Sequence, residues 1–354
     1  MNVLGAGFIT VDIIQLCKEE WLPLKDNIGY FSGGTSPNIL SYLGRSGWDV
    51  TVLGGIGDDS LGEILKKDLA SFDVNVSGIY TYKEVNTRRI AHLVMQDKEH
   101  YGMHRFDTFC TNCHREFPPF PQRKSMELFE HAKDFITKET ILIIDRANEL
   151  TLELAKSVSS KGGVVIFEPG YLSRNIDLVN ELMKYIDLLK YSEELLWNST
   201  PFSAIISSEY PRLKIIVETR GKKGVRLLKR NKELRLTTTP ILQVEDSAGA
   251  GDAFMAGFLT GIGRGGLLHL EDVGYDILEK ALERGQALGG LACRFIGSKG
   301  ILQAKKMSVI EDAINYTVRT LQPPVEFSSS VIPKGMQIEE TKGLCKVCHL
   351  QLNQ

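Results

Sequence analysis

The stretch 246-DSAGAGDAFMAGFLTGI-262 holds a run of small residues between two aspartates and then continues into an apolar segment. The residues before it, ILQVE, have the composition of a strand, and AFMAGFLTGI has that of a helix. Backbone N–H groups of Gly249, Ala250 and Gly251 at such a turn can approach a ligand closely and favour an anion. Asp252 follows in the first helical turn, where a carboxylate can take a proton from an attacking hydroxyl group. The pattern predicts an anion hole beside a general base, and it also fits a plain tight turn.

Around this stretch, short apolar runs alternate with amphipathic segments. Several of the runs are unbroken, which is typical of strands that are buried on both faces of a parallel sheet. The predicted strands are NVLGAGFI, DVTVLGGIG, TILIIDR, GVVIFEPG, DLLKYS and KIIVETRG, and the predicted helices include SPNILSYLGRSG, SLGEILKKDLASF, LTLELAKSVSSKGG and LVNELMKYI. This order predicts an α/β protein, a three-layer α/β/α sandwich with a mostly parallel central sheet.

Two stretches interrupt the alternation. Residues 28–33 and 87–106 alternate polar and apolar side chains over short lengths, so we expect antiparallel strands outside the main sheet that form a small β-flap lid. From Pro323 onward the sequence is rich in Pro, Ser and Gly and has no helical period. We therefore predict one domain over residues 1–322 and a C-terminal extension over residues 323–354.

The composition limits the possible partners. The net charge is −2, with 43% hydrophobic and 24% charged residues, so neither nucleic acid nor a membrane surface is indicated as a partner. No apolar run reaches the roughly 18 residues needed to span a bilayer. The first residues, MNVLGAGFITVDII, lack a basic leader and are predicted to form a core strand instead of a signal peptide. These features favour a cytoplasmic protein.

Other motifs carry less information. GIGRGG (261–266) matches G-x-G-x-x-G, but it follows a helical segment, so we interpret it as the end of a helix rather than a dinucleotide site. The sequence contains neither a G-x-x-x-x-G-K-[ST] P-loop nor an H-E-x-x-H motif. The seven histidines are scattered, and we expect them to be structural or exposed. Cys17 and Cys293 are isolated and are expected to be small buried residues.

The opening stretch strongly resembles the signature of the PfkB (ribokinase-like) family of sugar and nucleoside kinases, and the resemblance covers most of residues 1–322. GFITVD resembles the first strand of the family, which ends in a substrate-binding aspartate, here Asp12. SGGTSPNIL is similar to the Gly-Gly motif with a later asparagine, here Gly33, Gly34 and Asn38. GGIGDDSLG resembles a further landmark. The resemblance implies that these residues hold the phosphate acceptor.

VETRGKKGVRLL resembles the strand and turn on the nucleotide side, with Thr219, Gly221 and Gly224 in the matching places. The resemblance implies that ATP binds there together with Mg²⁺. It also implies K⁺ near Asp246 and the 295–298 loop, and a homodimer formed through the flap.

One position departs from the family's pattern. The family has Asn-x-x-Glu, whose glutamate helps to position Mg²⁺ through water, whereas LLKYSEELL places Ser192 first and Leu195 last. Serine is common at the first place in the sugar kinases of the family. Glu194 or Glu193 would replace the glutamate, or both are solvated residues of a first helical turn. The departure affects the residue that would position Mg²⁺, and therefore the turnover rate that depends on this ion.

Four cysteines form two C-x-x-C-H motifs, with Cys110 and Cys113 in FCTNCHREF and Cys345 and Cys348 in LCKVCHLQL. Four thiolates suit tetrahedral Zn²⁺, but the gap of more than 200 residues lies far outside zinc-ribbon spacing. A disulfide does not suit a cytosolic protein, and a thioredoxin-like role lacks its strand-to-helix setting. We predict one structural Zn²⁺ that holds the C-terminal extension near the flap; unpaired thiols and thiols shared between subunits are the alternatives.

These observations predict ATP-dependent phosphotransfer to a hydroxyl group of a sugar, with Asp252 as the general base. A nucleoside kinase is the first alternative, since it differs only in the acceptor pocket. An alternative of another class is a catalytically weak sensor that binds a sugar or nucleotide and uses the zinc-tied extension to contact a partner.

Overall fold

The computed structural model describes residues 2–120, 125–170, 175–194, 210–238, 243–335 and 343–351. Within them, the strands are β1 (Asn2–Ala6), β2 (Thr10–Lys18), β3 (Leu22–Gly33), β4 (Val50–Gly57), β5 (Ile79–Tyr82), β6 (Arg89–Met95), β7 (His104–Asp107), β8 (Thr140–Ile144), β9 (Val164–Phe167), β10 (Leu188–Ser192), β11 (Ile215–Thr219), β12 (Val225–Lys229) and β13 (Lys232–Leu236). The α-helices are α1 (Thr35–Arg45), α2 (Ser60–Ala70), α3 (Ser125–Ala132), α4 (Glu149–Ser160), α5 (Ile176–Met183), α6 (Ala250–Leu268), α7 (Tyr275–Ala292), α8 (Gly300–Ala304) and α9 (Met307–Thr320).

The central sheet has nine strands in the order β13-β12-β11-β10-β9-β8-β1-β4-β5. Neighbours from β11 to β5 are parallel, whereas β12 and β13 are antiparallel to their neighbours at one edge. All five residues of β8 (TILII) are buried, as its unbroken apolar run predicts. Ile141 and Ile143 belong to one hydrophobic core, and Leu142 and Ile144 belong to a second core on the opposite face. Helices α1, α2, α6 and α7 contribute to the first core and α4 and α5 to the second, so the predicted three-layer sandwich is confirmed.

A second, smaller sheet has the strand order β3-β2-β6-β7 and is called the small sheet below. Strands β2 and β3 are antiparallel, as are β6 and β7, but β2 and β6 are parallel. The prediction of a flap from residues 28–33 and 87–106 therefore located the small sheet correctly but did not include all of its strands. It omitted β2 and treated all pairs as antiparallel. The parallel pair arises because α1, β4, α2 and β5 cross through the main domain between β2 and β6.

Two local predictions were wrong. The first strand ends at Ala6, so Asp12 does not end it but lies in β2 of the small sheet. The predicted strand ILQVE is not formed: its described residues 243–245 lie in no strand, and the first two lie outside the described residues. GIGRGG does end a helical segment, as expected: Gly263 has a non-helical φ of 77°, and a second segment of α6 follows to Leu268.

The C-terminal extension follows α9 and contains no helix in residues 323–335 and 343–351, as predicted. Its first part nevertheless docks through apolar side chains. Phe327 is buried and lies against Phe295 with 5.5 Å between the ring centroids, and Ile332 is buried as well. In the described part of the chain, every helix is too short or too polar to cross a membrane.

Candidate active site

The start of α6 faces the carboxyl ends of the parallel strands. Gly249 precedes the helix with φ of 74°, and a Cβ at this position would lie 2.5 Å from Cβ of Ser298, so only glycine fits there. No side chain caps this end of the helix, and the N–H of Ala250 already donates to the backbone carbonyl of Ser247 over 3.3 Å. A ligand at this helix end would therefore be held mainly through the N–H of Gly251. The predicted Gly-Ala-Gly turn is thus a helix N-terminus with the polarity for an anion.

Asp252 lies in the first turn of α6 and is half-buried. Its Oδ2 accepts a hydrogen bond of 2.7 Å from Nδ2 of Asn38 in α1. Burial and the nearby carboxylate of Glu168 raise the pKa of Asp252 well above its ordinary value, and the Asn38 hydrogen bond opposes this rise. A carboxylate whose pKa is raised toward neutrality is better suited to proton transfer than an ordinary aspartate.

A buried ion pair next to Asp252 was missed in the sequence. Lys190 in β10 pairs with Glu168, which follows β9, and both side chains are buried. Lys190 Nζ also donates to the backbone carbonyl of Gly251 over 3.3 Å. Glu168 Oε2 has no hydrogen-bond partner within the described residues. The sequence did contain a signal for this pair, because Glu168 comes directly after the buried strand β9 and Lys190 lies within the next strand, β10.

Asp12 lies on the small sheet, opposite Phe31 of β3 and Ile90 of β6. A Cβ on Gly33 would collide with its carboxylate, which explains the glycine in the predicted motif. Burial raises the pKa of Asp12 to about 6, against the opposing positive charges of His92 and Lys299.

Lys299 joins the predicted acceptor residues and was not identified from the sequence. Its Nζ donates to Oγ of Ser32 over 2.8 Å and to Oδ1 of Asn38 over 3.2 Å, and lies 3.7 Å from Oδ2 of Asp68. The side chain is almost completely buried, and this burial lowers its pKa. Asn38 therefore contacts both Asp252 and Lys299, and it links the proposed base to the acceptor side of the site.

Asp246 was expected to lie near K⁺, and its carboxylate is buried among polar groups. Oδ1 accepts from the N–H of Ala248 over 2.9 Å and lies 3.5 Å from Nδ1 of His104. Oδ2 accepts from the N–H of Gly297 over 2.9 Å and lies 3.1 Å from Nε2 of His92. A carboxylate has about four lone-pair positions. The N–H groups of Ala248 and Gly297 use two of these positions, whereas the ring nitrogens of His92 make no hydrogen bond within the described residues, so K⁺ near Asp246 stays a prediction.

Among the residues predicted to contact the nucleotide, Thr219 ends β11 beside Ser192, which ends β10. Gly221 and Gly224 flank the next turn, as predicted. Glu193 is bound to Arg220 (3.0 Å) and Lys223 (2.9 Å). Glu194, by contrast, is exposed. The departure at Leu195 lies outside the described residues.

Two arginines pack on Phe8, next to Gly34 of the predicted acceptor motif. The guanidinium carbons of Arg88 and Arg146 lie 3.6 and 3.2 Å from the ring centroid of Phe8. The carbonyl oxygen of Phe8 also closely approaches Gly34. Burial and the neighbouring charge of Arg146 lower the pKa of Arg88 to about 10, while Asp145 opposes the shift. Two cations with one nearby carboxylate leave a net positive charge beside the acceptor residues.

The four predicted cysteines meet in space. The sulfur atoms of Cys110, Cys113, Cys345 and Cys348 all lie within 4.8 Å of one another. Two contacts cross between the motifs, Cys110 with Cys345 at 3.7 Å and Cys113 with Cys348 at 3.6 Å. A tetrahedral zinc site with Zn–S bonds of about 2.3 Å has sulfurs about 3.8 Å apart, whereas a disulfide bond is about 2.05 Å long.

The two cysteine motifs, called the knuckles below, also share their backbone geometry. The carbonyl of Cys110 accepts from the N–H of His114 over 2.9 Å, and the carbonyl of Cys345 accepts from that of His349 over the same distance. Both histidines have φ near +55°, at 57° and 54°. A hydrogen bond between Cys348 and Cys110 lowers the pKa of Cys110 and raises that of Cys348, because the two thiols share one proton.

The family model described as pfkB family carbohydrate kinase matches residues 3–304, so the chain belongs to this family. A fructokinase of Klebsiella pneumoniae is 26% identical over 248 residues, covering 66% of this chain and 78% of that protein. An ATP-dependent 6-phosphofructokinase of Thermoanaerobacterium thermosaccharolyticum is 23% identical over 309 residues, covering 84% and 89%. The structure of Arabidopsis thaliana ribokinase complexed with ribose and ATP superposes with a TM-score of 0.59 at 19% identity, covering 83% of this chain and 93% of that one.

Proposed function

We propose that the protein transfers a phosphoryl group from ATP to a hydroxyl group of a sugar, with Asp252 as the general base. The observation that carries this proposal is the position of Asp252. It lies in the first turn of a helix whose N-terminus has no side-chain cap, it is hydrogen-bonded to Asn38, and its pKa is raised. A base beside an anion hole can deprotonate the acceptor hydroxyl while the amides of Gly249 to Gly251 stabilise charge on the transferred group.

The acceptor is held on the other side of Asn38. Asp12 accepts hydrogen bonds from sugar hydroxyls. The absence of a side chain at Gly33 lets the Asp12 carboxylate lie against this loop, and its absence at Gly34 lets the carbonyl of Phe8 approach. Lys299 fixes Asn38 and Ser32 and thereby orients Asn38 toward Asp252. Because Asn38 contacts both sides, it aligns the hydroxyl with the base.

ATP occupies the side of Thr219, Gly221 and Gly224, where β10 and β11 end. Bound Mg²⁺ neutralises charge on the nucleotide phosphates. Glu194 is the free carboxylate for this ion, since Glu193 is already paired with two cations. The Lys190–Glu168 pair holds the carbonyl of Gly251 and so fixes the start of α6.

The test is an ATP-consumption screen over sugars, sugar phosphates and nucleosides with Mg²⁺. Asp252→Asn should lower the turnover of the best acceptor by roughly 10²- to 10⁴-fold while ligand binding persists, because a positioned base contributes about this much. Asp276→Asn is the matched control, since Asp276 lies in the first turn of α7 and outside this site. Turnover of Asp252→Asn equal to that of Asp276→Asn would remove Asp252 from the mechanism, and turnover confined to nucleosides would select the nucleoside alternative.

A phosphorylated sugar is a second candidate acceptor, and the arginine pair favours it. Arg88 and Arg146 bring two positive charges beside the acceptor residues, and bidentate arginine suits a phosphate group. Arg146→Met should then raise KM for D-fructose 6-phosphate and leave KM for D-fructose unchanged. Equal changes for the two sugars would exclude a phosphate subsite.

We propose in addition that the two knuckles bind one structural Zn²⁺. Sulfur separations close to the edges of a zinc–thiolate tetrahedron support this, as does the matched backbone of the two motifs. Elemental analysis of freshly purified protein should find one zinc per chain, and Cys345→Ser should lower this value. Zinc well below one equivalent, together with rapid reaction of all four thiols in the native protein, would contradict the proposal.

A further inference from the structure

The small sheet has two faces with different neighbours. Side chains alternate between the faces along each strand. The strand pairing puts Asp12, Phe31 and Ile90 side by side on one face. Ile13 and Tyr30 are paired on the opposite face, which also carries Arg89 opposite Val11. The small sheet therefore contacts two different sets of residues, one on each face.

The first face looks toward the active site. Asp12 lies against Gly33, and His92 of β6 reaches Asp246. His92 lies opposite Ile14, two residues after Asp12 on β2. The acceptor carboxylate and the contact to Asp246 thus depend on the alignment of β2 with β6.

The second face is covered by the knuckles. One side chain from each of the strands β2, β3 and β6 makes a hydrogen bond to the knuckles. Gln15 of β2 accepts from the hydroxyl of Thr111 over 2.5 Å. The hydroxyl of Tyr30, in β3, donates to the carbonyl of Val347 over 3.0 Å. Arg89 of β6 donates to the carbonyl of Cys348.

Arg89 is the strongest of these links. Its side chain is 1% exposed, and Nη2 lies 3.1 Å from Oδ2 of Asp59. Asp59 in turn caps α2 and accepts from the N–H of Thr87 over 2.9 Å. Removal of the Cys348 carbonyl would leave a buried guanidinium with an unsatisfied donor, which is costly, so β6 would have to move.

The remainder of the extension does not depend on the knuckles. Arg294 donates to the carbonyls of Pro324 (2.6 Å) and Val325 (2.9 Å), and Phe327 packs on Phe295. Loss of a metal would therefore free residues 343–351 locally. The loss of the metal would also change the contacts on the second face of the small sheet.

We propose that the metal-loaded knuckles position the acceptor-binding sheet, and that Arg89 is the principal positioning residue between them. Metal occupancy then controls affinity for the acceptor and leaves affinity for ATP unchanged. This inference rests on the proposed zinc site and on the proposed acceptor role of Asp12. It predicts that the two substrates respond differently to the same chelator.

The first experiment compares hydrogen–deuterium exchange of the full chain with and without a zinc-selective chelator that leaves Mg²⁺ in solution. Backbone amides of β2 and β6 should exchange faster without metal, while those of β8 and β9 should not change. This readout needs no substrate, so it decides the coupling even if no sugar is phosphorylated. Metal analysis of the same samples separates failure of the zinc site from failure of the coupling. Zinc release without faster exchange in β2 and β6 would overturn the inference.

The second experiment measures KM for D-fructose and for ATP in the same samples. Metal removal should raise KM for the sugar at least about fivefold, the lower end of typical couplings between sites, and Zn²⁺ should restore it. Arg89→Met should raise the sugar KM while keeping one zinc per chain. Arg115→Met is the matched control, since Arg115 donates to the carbonyl of Gln351 in the same extension and not from the small sheet. Equal rises in both KM values, or equal effects of the two variants, would overturn the inference.

Discussion

Asn38→Ala tests the link between the acceptor side and the proposed base. The substitution removes the 2.7 Å hydrogen bond to Oδ2 of Asp252, which favours the ionised carboxylate. A hydrogen bond to a charged group is worth about 1.5–3 kcal/mol, which corresponds to about 10- to 150-fold in rate if the bond acts fully in the chemical step. The variant should therefore lose one to two orders of magnitude in kcat at neutral pH.

The sign of the pH dependence follows from the same bond. Its loss raises the pKa of Asp252 further, so less of the carboxylate is ionised at a given pH. A general base works in its ionised form, so the acidic limb of the kcat profile should move to higher pH and the rate should partly recover in alkali. Initial rates at saturating MgATP and sugar, measured from about pH 5.5 to about pH 9.5, cover the range needed.

Ser41→Ala is the control for this variant. Ser41 is buried one turn further along α1, and its hydroxyl donates to the carbonyl of Pro37, away from Asp252. Its profile should match that of the wild type. If Asn38→Ala is slower by a constant factor at every pH, with an unmoved acidic limb, the bond does not tune the base and the reasoning fails.

Three further predictions follow. Below about pH 6, protonation of Asp12 should raise KM for the sugar, because its raised pKa leaves the carboxylate ionised only above that range; Asp12→Asn should have a higher KM without this pH dependence, and titration of the sugar KM against pH decides it. Glu194→Gln should raise the Mg²⁺ concentration for half-maximal rate about tenfold and Glu193→Gln should not; equal responses in Mg²⁺ titrations would exclude a special role for Glu194. Replacement of K⁺ by tetramethylammonium tests the ion predicted near Asp246, whose carboxylate accepts only two backbone hydrogen bonds; a loss of rate that K⁺ restores is expected, and an unchanged rate would contradict the prediction.

Much of the fold could be predicted from local patterns in the sequence. The run TILII could be recognised as a fully buried strand because its composition alone excludes an exposed face. The start of α6 was recognisable because glycine, small residues and an acid each have a local reason at a helix N-terminus. The small sheet was harder, since the pairing of Val11 with Arg89 joins residues far apart in the chain and leaves no local periodic signal.

The residues of the candidate site likewise fall into two groups, those that lie in sequence motifs and those that do not. Asp252 and Asn38 lie in motifs, and the structure brings them into contact. Lys299 and Lys190 have no motif, and their roles come from burial next to a carboxylate or amide in another element. The expectation that all histidines are structural or exposed missed the contact of His92 with Asp246, since a lone histidine in an apolar strand carries no signal about its partner.

The sulfur contact between Cys110 and Cys345 spans 235 positions of the chain, and this separation sets an order of events during synthesis. At about 5–20 residues per second, the ribosome needs roughly 10–50 s to proceed from the first knuckle to the second. Throughout that interval Cys110 and Cys113 are an incomplete pair of thiols that any thiophilic metal or oxidant can reach. The segments that carry Asp12, Asn38 and Asp252 have all been synthesised by then, so maturation of the acceptor-binding sheet is separated in time from folding of the domain around it.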